Sequence, residues 1–85
     1  DILMVPWAMG QALTFGPGEG PRLAPQANSR AAIDAIGTAD HAKLEPVYET
    51  VRRVAAALPP AVTFLGFAGS PWTVATYMIA GQGSK

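Results

Sequence analysis

The clearest periodicity in the chain runs over residues 44–58, where Leu44, Val47, Tyr48, Val51, Ala55 and Leu58 recur at steps of three and four. That spacing lays one apolar stripe along a helix. Glu49 and Arg53 lie one turn apart on the other face, acid before base, which is the favourable order. Pro46 falls in the first turn of this helix, where its missing N–H costs little, and Pro59-Pro60 stop it. Residues 61–67 are short, apolar and rich in β-formers, a pattern that predicts a buried parallel strand between two helices. Ser70-Pro71 then supplies an N-cap hydroxyl and a proline at the first helical position. A second helix is predicted from there to about Ala80, with Gly81 as its left-handed C-cap.

Upstream, residues 1–7 read as the end of a buried strand running into a turn at Pro6. From Gln11 to Phe15 the chain alternates, with Leu13 and Phe15 on one face. The run Gly16-Pro17-Gly18-Glu19-Gly20-Pro21 follows, with fixed φ at the prolines and positive φ available at the glycines, as a chain reversal requires. With Leu23 on the return strand, a β-hairpin is predicted over residues 12–24. Residues 25–40 carry a weaker pattern, in which Ser29 caps a short helical turn through Ile33 and Ile36 that ends at Gly37. Helix, strand and helix with short links make half of a βα repeat, pointing to an α/β barrel or a doubly wound sheet.

Length and charge narrow this. Eighty-five residues make one small domain, roughly a third of the ~250 residues that a (β/α)₈ barrel needs. Charged residues are 14% of the chain, against about 25% in an average soluble domain, so much of the surface is expected to lie under other polypeptide. Zero net charge removes the footprint of a nucleic-acid binder. The absence of cysteine excludes disulfides and thiolate metal sites and agrees with a reducing, cytoplasmic setting. Residues 54–84 carry no charge and are long enough to cross a bilayer. Pro59-Pro60, Gly66, Gly69 and Pro71 interrupt them, so two buried elements joined by a tight turn fit better, and no membrane partner is expected. The first apolar stretch lacks the basic flank of a signal peptide. His41 has no second His or Cys nearby and reads as a surface residue. The glycine-rich turn lacks the Lys-Ser/Thr and following helix of a phosphate loop.

Chemistry enters through Gly66-Phe67-Ala68-Gly69-Ser70-Pro71-Trp72-Thr73 and its continuation Thr76-Tyr77-Met78. This motif resembles the GFAG(A/S)PWT…TYM segment of the uroporphyrinogen decarboxylase family. Asp1-Ile2-Leu3-Met4-Val5-Pro6 with Gly10 is similar to that family's (S)DIL-VP segment, and Gly18-Glu19-Gly20-Pro21 to its G-x-G-P turn. Residues 25–55 match only loosely, and Ala80 and Gln82 stand where many members have Glu and Gly.

The resemblance implies an internal piece of a (β/α)₈ barrel whose full-length, homodimeric form removes carbon dioxide from the four acetate arms of uroporphyrinogen, giving coproporphyrinogen. It implies no metal or prosthetic group, because a protonated pyrrole is itself the electron sink that a cofactor provides elsewhere. Asp1 matches the family's active-site aspartate, which accepts pyrrole N–H bonds and stabilises the cationic ring. Read without the family, it is a strand-end carboxylate capping a turn. Tyr77 matches a pocket tyrosine near that carboxylate or a substrate acid; its plain reading is a core ring with its hydroxyl at the rim. Phe67 matches a phenylalanine packed on the macrocycle, and core packing explains it equally well. Ser70 and the helix start after it suit either a carboxylate or a simple N-cap, and Trp72 reads as structural. The family's arginine-rich segment, its further Ser or Thr and its His have no counterpart here, so the chain is expected to be inactive alone. Two rival readings stay open: a related zinc-dependent corrinoid or thiol methyltransferase barrel, and a non-catalytic membrane-surface or interaction segment over residues 54–84.

Overall fold

A computed structural model describes residues 2–83 of the chain. It opens with a single helical turn, α1 (Met4–Ala8), rather than the expected strand tail. Local bonds close this turn: Trp7 N–H donates to the Leu3 carbonyl at 3.2 Å and Met9 N–H to that of Val5 at 2.9 Å. Pro6 fits because the first turn of a helix has no intrahelical acceptor for its N–H. Without an adjacent strand, an apolar run satisfies its backbone most readily by coiling.

The hairpin forms as read. β1 (Ala12–Phe15) pairs antiparallel with β2 (Pro21–Ala24), with Ala12 opposite Ala24 and Phe15 opposite Pro21. Glu19 N–H donates to the Gly16 carbonyl at 3.0 Å and tightens the reversal. Side chains alternate across a strand, so Leu23 turns inward and is buried while Arg22 faces out. Next comes α2 (Arg30–Asp34), capped by Ser29, whose Oγ accepts from Ala32 N–H at 3.1 Å. It stops short of Ile36.

The long helix α3 (His41–Ala57) begins three residues before the apolar stripe, because Asp40 caps it by accepting from Ala42 N–H at 3.0 Å. Pro46 therefore sits in the second turn, not the first, and the Thr50 hydroxyl bonds the Pro46 carbonyl at 2.8 Å. Of the stripe, Leu44 is buried, Tyr48 and Leu58 are half-buried, and Val47 and Val51 are exposed. α3 packs on α1, helped by Asp40 N–H donating to the Ala8 carbonyl at 2.9 Å.

Residues 61–67 form no strand, contrary to the expectation. A parallel strand draws its hydrogen bonds from neighbouring strands, and the only sheet among the described residues is the hairpin. Leu65 is left 79% and Phe67 80% exposed. α4 (Pro71–Ala80) follows with the anticipated ends, Ser70 as N-cap and Gly81 at φ 78° as C-cap. The Ser70 hydroxyl bonds Thr73 Oγ1 at 3.2 Å instead of the backbone.

The carboxyl end of α4 is where the two halves meet. Leu23 N–H donates to the Gly81 carbonyl at 2.9 Å and Ala27 N–H to that of Met78 at 2.7 Å. Gln26 Nε2 donates to the Ala80 carbonyl at 2.7 Å. These bonds fill acceptors that a helix end otherwise leaves open. The result is a mixed α/β arrangement with one two-stranded sheet. Its accessible surface is 6226 Å², against about 4,800 Å² for a compact monomer of its mass. Its radius of gyration is 15.1 Å, against about 12 Å.

Candidate functional site

Two concave surfaces carry the residues singled out by the sequence. The first is an apolar cavity of about 580 Å³ between α1, α3 and the turn leading into α4, with Ile2, Val5, Leu44, Tyr48, Phe67 and Val74 on its walls. Gly69 makes it possible. A Cβ there would lie 2.6 Å from Val74 Cγ2 and 2.9 Å from Ile2 Cβ, so a side chain would push the amino-terminal segment off the start of α4. Above the cavity the Tyr48 hydroxyl meets His41 Nδ1 at 2.7 Å. His41 is on the surface, as expected.

The second is a polar cleft of about 180 Å³ between the hairpin and the last turn of α4, bounded by Gly20, Pro21, Arg22, Tyr77, Gln82 and Gly83. Tyr77 is half-buried, and its hydroxyl lies so near Gly83 that a Cβ there would come within 2.9 Å of it. Arg22 Nε pairs with Glu19 Oε2 at 3.2 Å. A neighbouring hollow takes in Trp72, Thr73 and Thr76. Trp72 is 83% exposed and so packs in no core among the described residues, contrary to its structural reading.

The expected site residues are thus divided. Asp1 lies outside the described residues, although Ile2 beside it in sequence shares the apolar cavity with Phe67. Tyr77 borders the polar cleft, not that cavity. Sequence reasoning passed over two residues. Arg22 looked like an ordinary outward strand position. Gln11 is buried, and its Nε2 donates to the Pro25 carbonyl at 2.9 Å and the Met78 carbonyl at 3.2 Å, clasping the hairpin to α4. Its Oε1 has no partner among the described residues. A lone amide flanked by apolar segments was the available signal.

Elsewhere the charges follow ordinary surface logic. Along α3, Arg52 bridges Glu45 and Glu49, and Arg53 also reaches Glu49 at 2.8 Å. The Arg52 and Arg53 guanidinium groups hold the Glu49 carboxyl below its ordinary range, and Glu45 and then Glu49 raise Arg52. Among the described residues no three of His, Cys, Asp and Glu gather as a metal-ligand set, and no helix is long and apolar enough to cross a membrane.

An α/β chain with an apolar cavity beside a Ser-Pro helix start, and a cleft bearing arginine and tyrosine, has the makings of a small-molecule site. The family model described as uroporphyrinogen decarboxylase (URO-D) matches residues 1–85, and the chain belongs to that family. It is 64% identical over 85 residues to a uroporphyrinogen decarboxylase of Rhizorhabdus wittichii, 62% to one of Sphingopyxis alaskensis and 58% to one of Erythrobacter litoralis. Each alignment takes in 100% of this chain and 24% of the relative, so the chain spans about a quarter of the curated relatives it matches.

Proposed function

We propose that these residues form one section of a (β/α)₈ barrel, a single catalytic domain that decarboxylates the four acetate arms of uroporphyrinogen III to give coproporphyrinogen III. The observation that carries this is the family match across all 85 residues at up to 64% identity. In this reading residues 61–67 become a barrel strand once neighbours are present, and their exposed apolar side chains turn into core. Phe67, at the carboxyl end of that strand, lies against the macrocycle at the face where barrels hold their sites.

Asp1 is the catalytic group. Its carboxylate accepts hydrogen bonds from the pyrrole N–H groups. Protonation of a pyrrole carbon makes a cationic ring, the acetate's carbon–carbon bond breaks toward that ring and carbon dioxide leaves. The exocyclic methylene then takes a proton from solvent while the ring carbon returns its own, leaving a methyl group. A fixed negative charge favours the cation in a water-poor site. Tyr77 offers a hydroxyl to a substrate acid. The ring system carries its own electron sink, so the reaction as drawn has no cofactor. The setting is the cytoplasm and the full-length form a homodimer.

The test is a chimera in which these 85 residues replace the matched section of the Rhizorhabdus wittichii protein. It is expected to convert uroporphyrinogen III to coproporphyrinogen III, and Asp1→Ala in the same host to lose that turnover. A folded chimera without turnover, or an Asp1→Ala variant at full rate, refutes the assignment.

A further inference from the structure

We propose that Arg22, on the hairpin, joins Tyr77 in a carboxylate-binding subsite that holds one acidic arm of the substrate. The inference rests on the proposed activity for the identity of the ligand, but its geometry is independent of it. The alternation that buries Leu23 turns Arg22 outward, into the same cleft that Tyr77 borders from the last turn of α4. Arg22 engages Glu19 through Nε. Among the described residues its terminal Nη groups have no hydrogen-bond partner, and neither has the Tyr77 hydroxyl. A guanidinium presents its remaining N–H donors as a planar fork matched to a carboxylate, and a phenol adds a further donor. A cleft of about 180 Å³ admits a carboxymethyl or carboxyethyl arm, with Pro21 and the glycines against its methylenes.

Two effects oppose anion binding. Glu19 is a like charge, yet it is half-exposed, where water and salt screen it, and it takes only the Nε edge. The carboxyl end of α4 carries partial negative charge, yet the carbonyls of Met78, Ala80 and Gly81 already accept hydrogen bonds from Ala27, Gln26 and Leu23. The same bonds fix the separation of Arg22 and Tyr77, because Leu23 of the hairpin, and Gln26 and Ala27 just after it, tie β2 and its continuation to the end of α4.

The full-length chimera provides the assay. Arg22→Met is expected to raise KM for uroporphyrinogen III about tenfold, the scale of one charge-assisted hydrogen bond, with kcat within about twofold. Binding of uroporphyrin III, the unreactive oxidised ring, followed by fluorescence, is expected to weaken by a similar factor. Arg22→Lys should fall between, since it keeps the charge and loses the fork. Glu19→Gln should bind at least as tightly as the parent. Unchanged binding and KM in Arg22→Met overturn the inference. So does a Glu19→Gln variant that reproduces the Arg22→Met loss, which would give Arg22 a role only in holding the hairpin. If the parent chimera binds uroporphyrin III without turning over uroporphyrinogen, the proposed activity fails while the binding comparison still decides the subsite.

Discussion

Replacing Gly81 by alanine tests how the hairpin is attached to α4. Gly81 sits at φ 78°, in the left-handed region that costs a residue with a Cβ about 1–2 kcal/mol. The added carbon would also lie 3.0 Å from the Leu23 carbonyl oxygen and 3.3 Å from Gln26 Cγ and Nε2. Relieving that contact requires β2 to move away from the helix end, stretching the 2.9 Å bond from Leu23 N–H to the Gly81 carbonyl, whose net value is about 1 kcal/mol. The sum is about 2–3 kcal/mol. Urea unfolding of the full-length chimera measures it from the shift in midpoint at constant slope. Gly81→Asn separates the two causes, because asparagine tolerates the left-handed backbone but still carries a Cβ; it is expected to cost about half as much. A Gly81→Ala loss within about 0.5 kcal/mol of zero, the range of an ordinary surface change, would refute the attachment described.

Two further outcomes follow from the charges and the exposed surface. In Glu49 the folded-state pKa lies below the ordinary 4.5 because Arg52 and then Arg53 hydrogen-bond the carboxylate, so its stabilisation is complete above the unfolded value and is lost as pH falls through the lower folded value; acid titration of chimera stability should show the gap between parent and Glu49→Gln closing in that window, and a gap that widens on acidification contradicts the assignment. The isolated 85-residue chain is expected to form no coproporphyrinogen and to unfold on heating without a sharp transition, as followed by circular dichroism; a cooperative melt of monomeric material would count against that.

What was legible in the sequence is local. The hairpin, the Ser29 cap, the Ser70-Pro71 start and the Gly81 stop each depend on residues within a few positions of one another, and the structure repeats them. Asp40 was missed as a cap because the apolar stripe begins later, at Leu44, while the cap acts through Ala42. That error moved Pro46 by a turn. Residues 1–7 and 61–67 went wrong for one reason: both read as strands from their apolar character, and a strand is a statement about neighbours. Among the described residues 2–8 the chain bonded itself into α1; residues 61–67, preceded by two prolines and broken by Gly66, open in a turn closed by Val62 N–H on the Pro59 carbonyl and otherwise form no regular element, and they stay exposed. Arg22 escaped notice because an outward arginine on a hairpin is ordinary until α4 brings Tyr77 to the same cleft, from a position 55 residues away in sequence. The surplus surface follows from the same division. About 1,400 Å² more is exposed than a compact chain of this mass would show, close to what a protein–protein interface of standard size buries in total. Among the exposed large apolar side chains are Phe64, Leu65 and Phe67, which the strand reading assigned to a buried element, and Val47 and Val51 of the α3 stripe. The low charge content, 14% of the chain, agrees with so large an exposed apolar surface. The apolar pattern of residues 61–67 predicts burial, and among the described residues those side chains are exposed instead, because burial of a strand needs neighbours that the hairpin and helices do not provide.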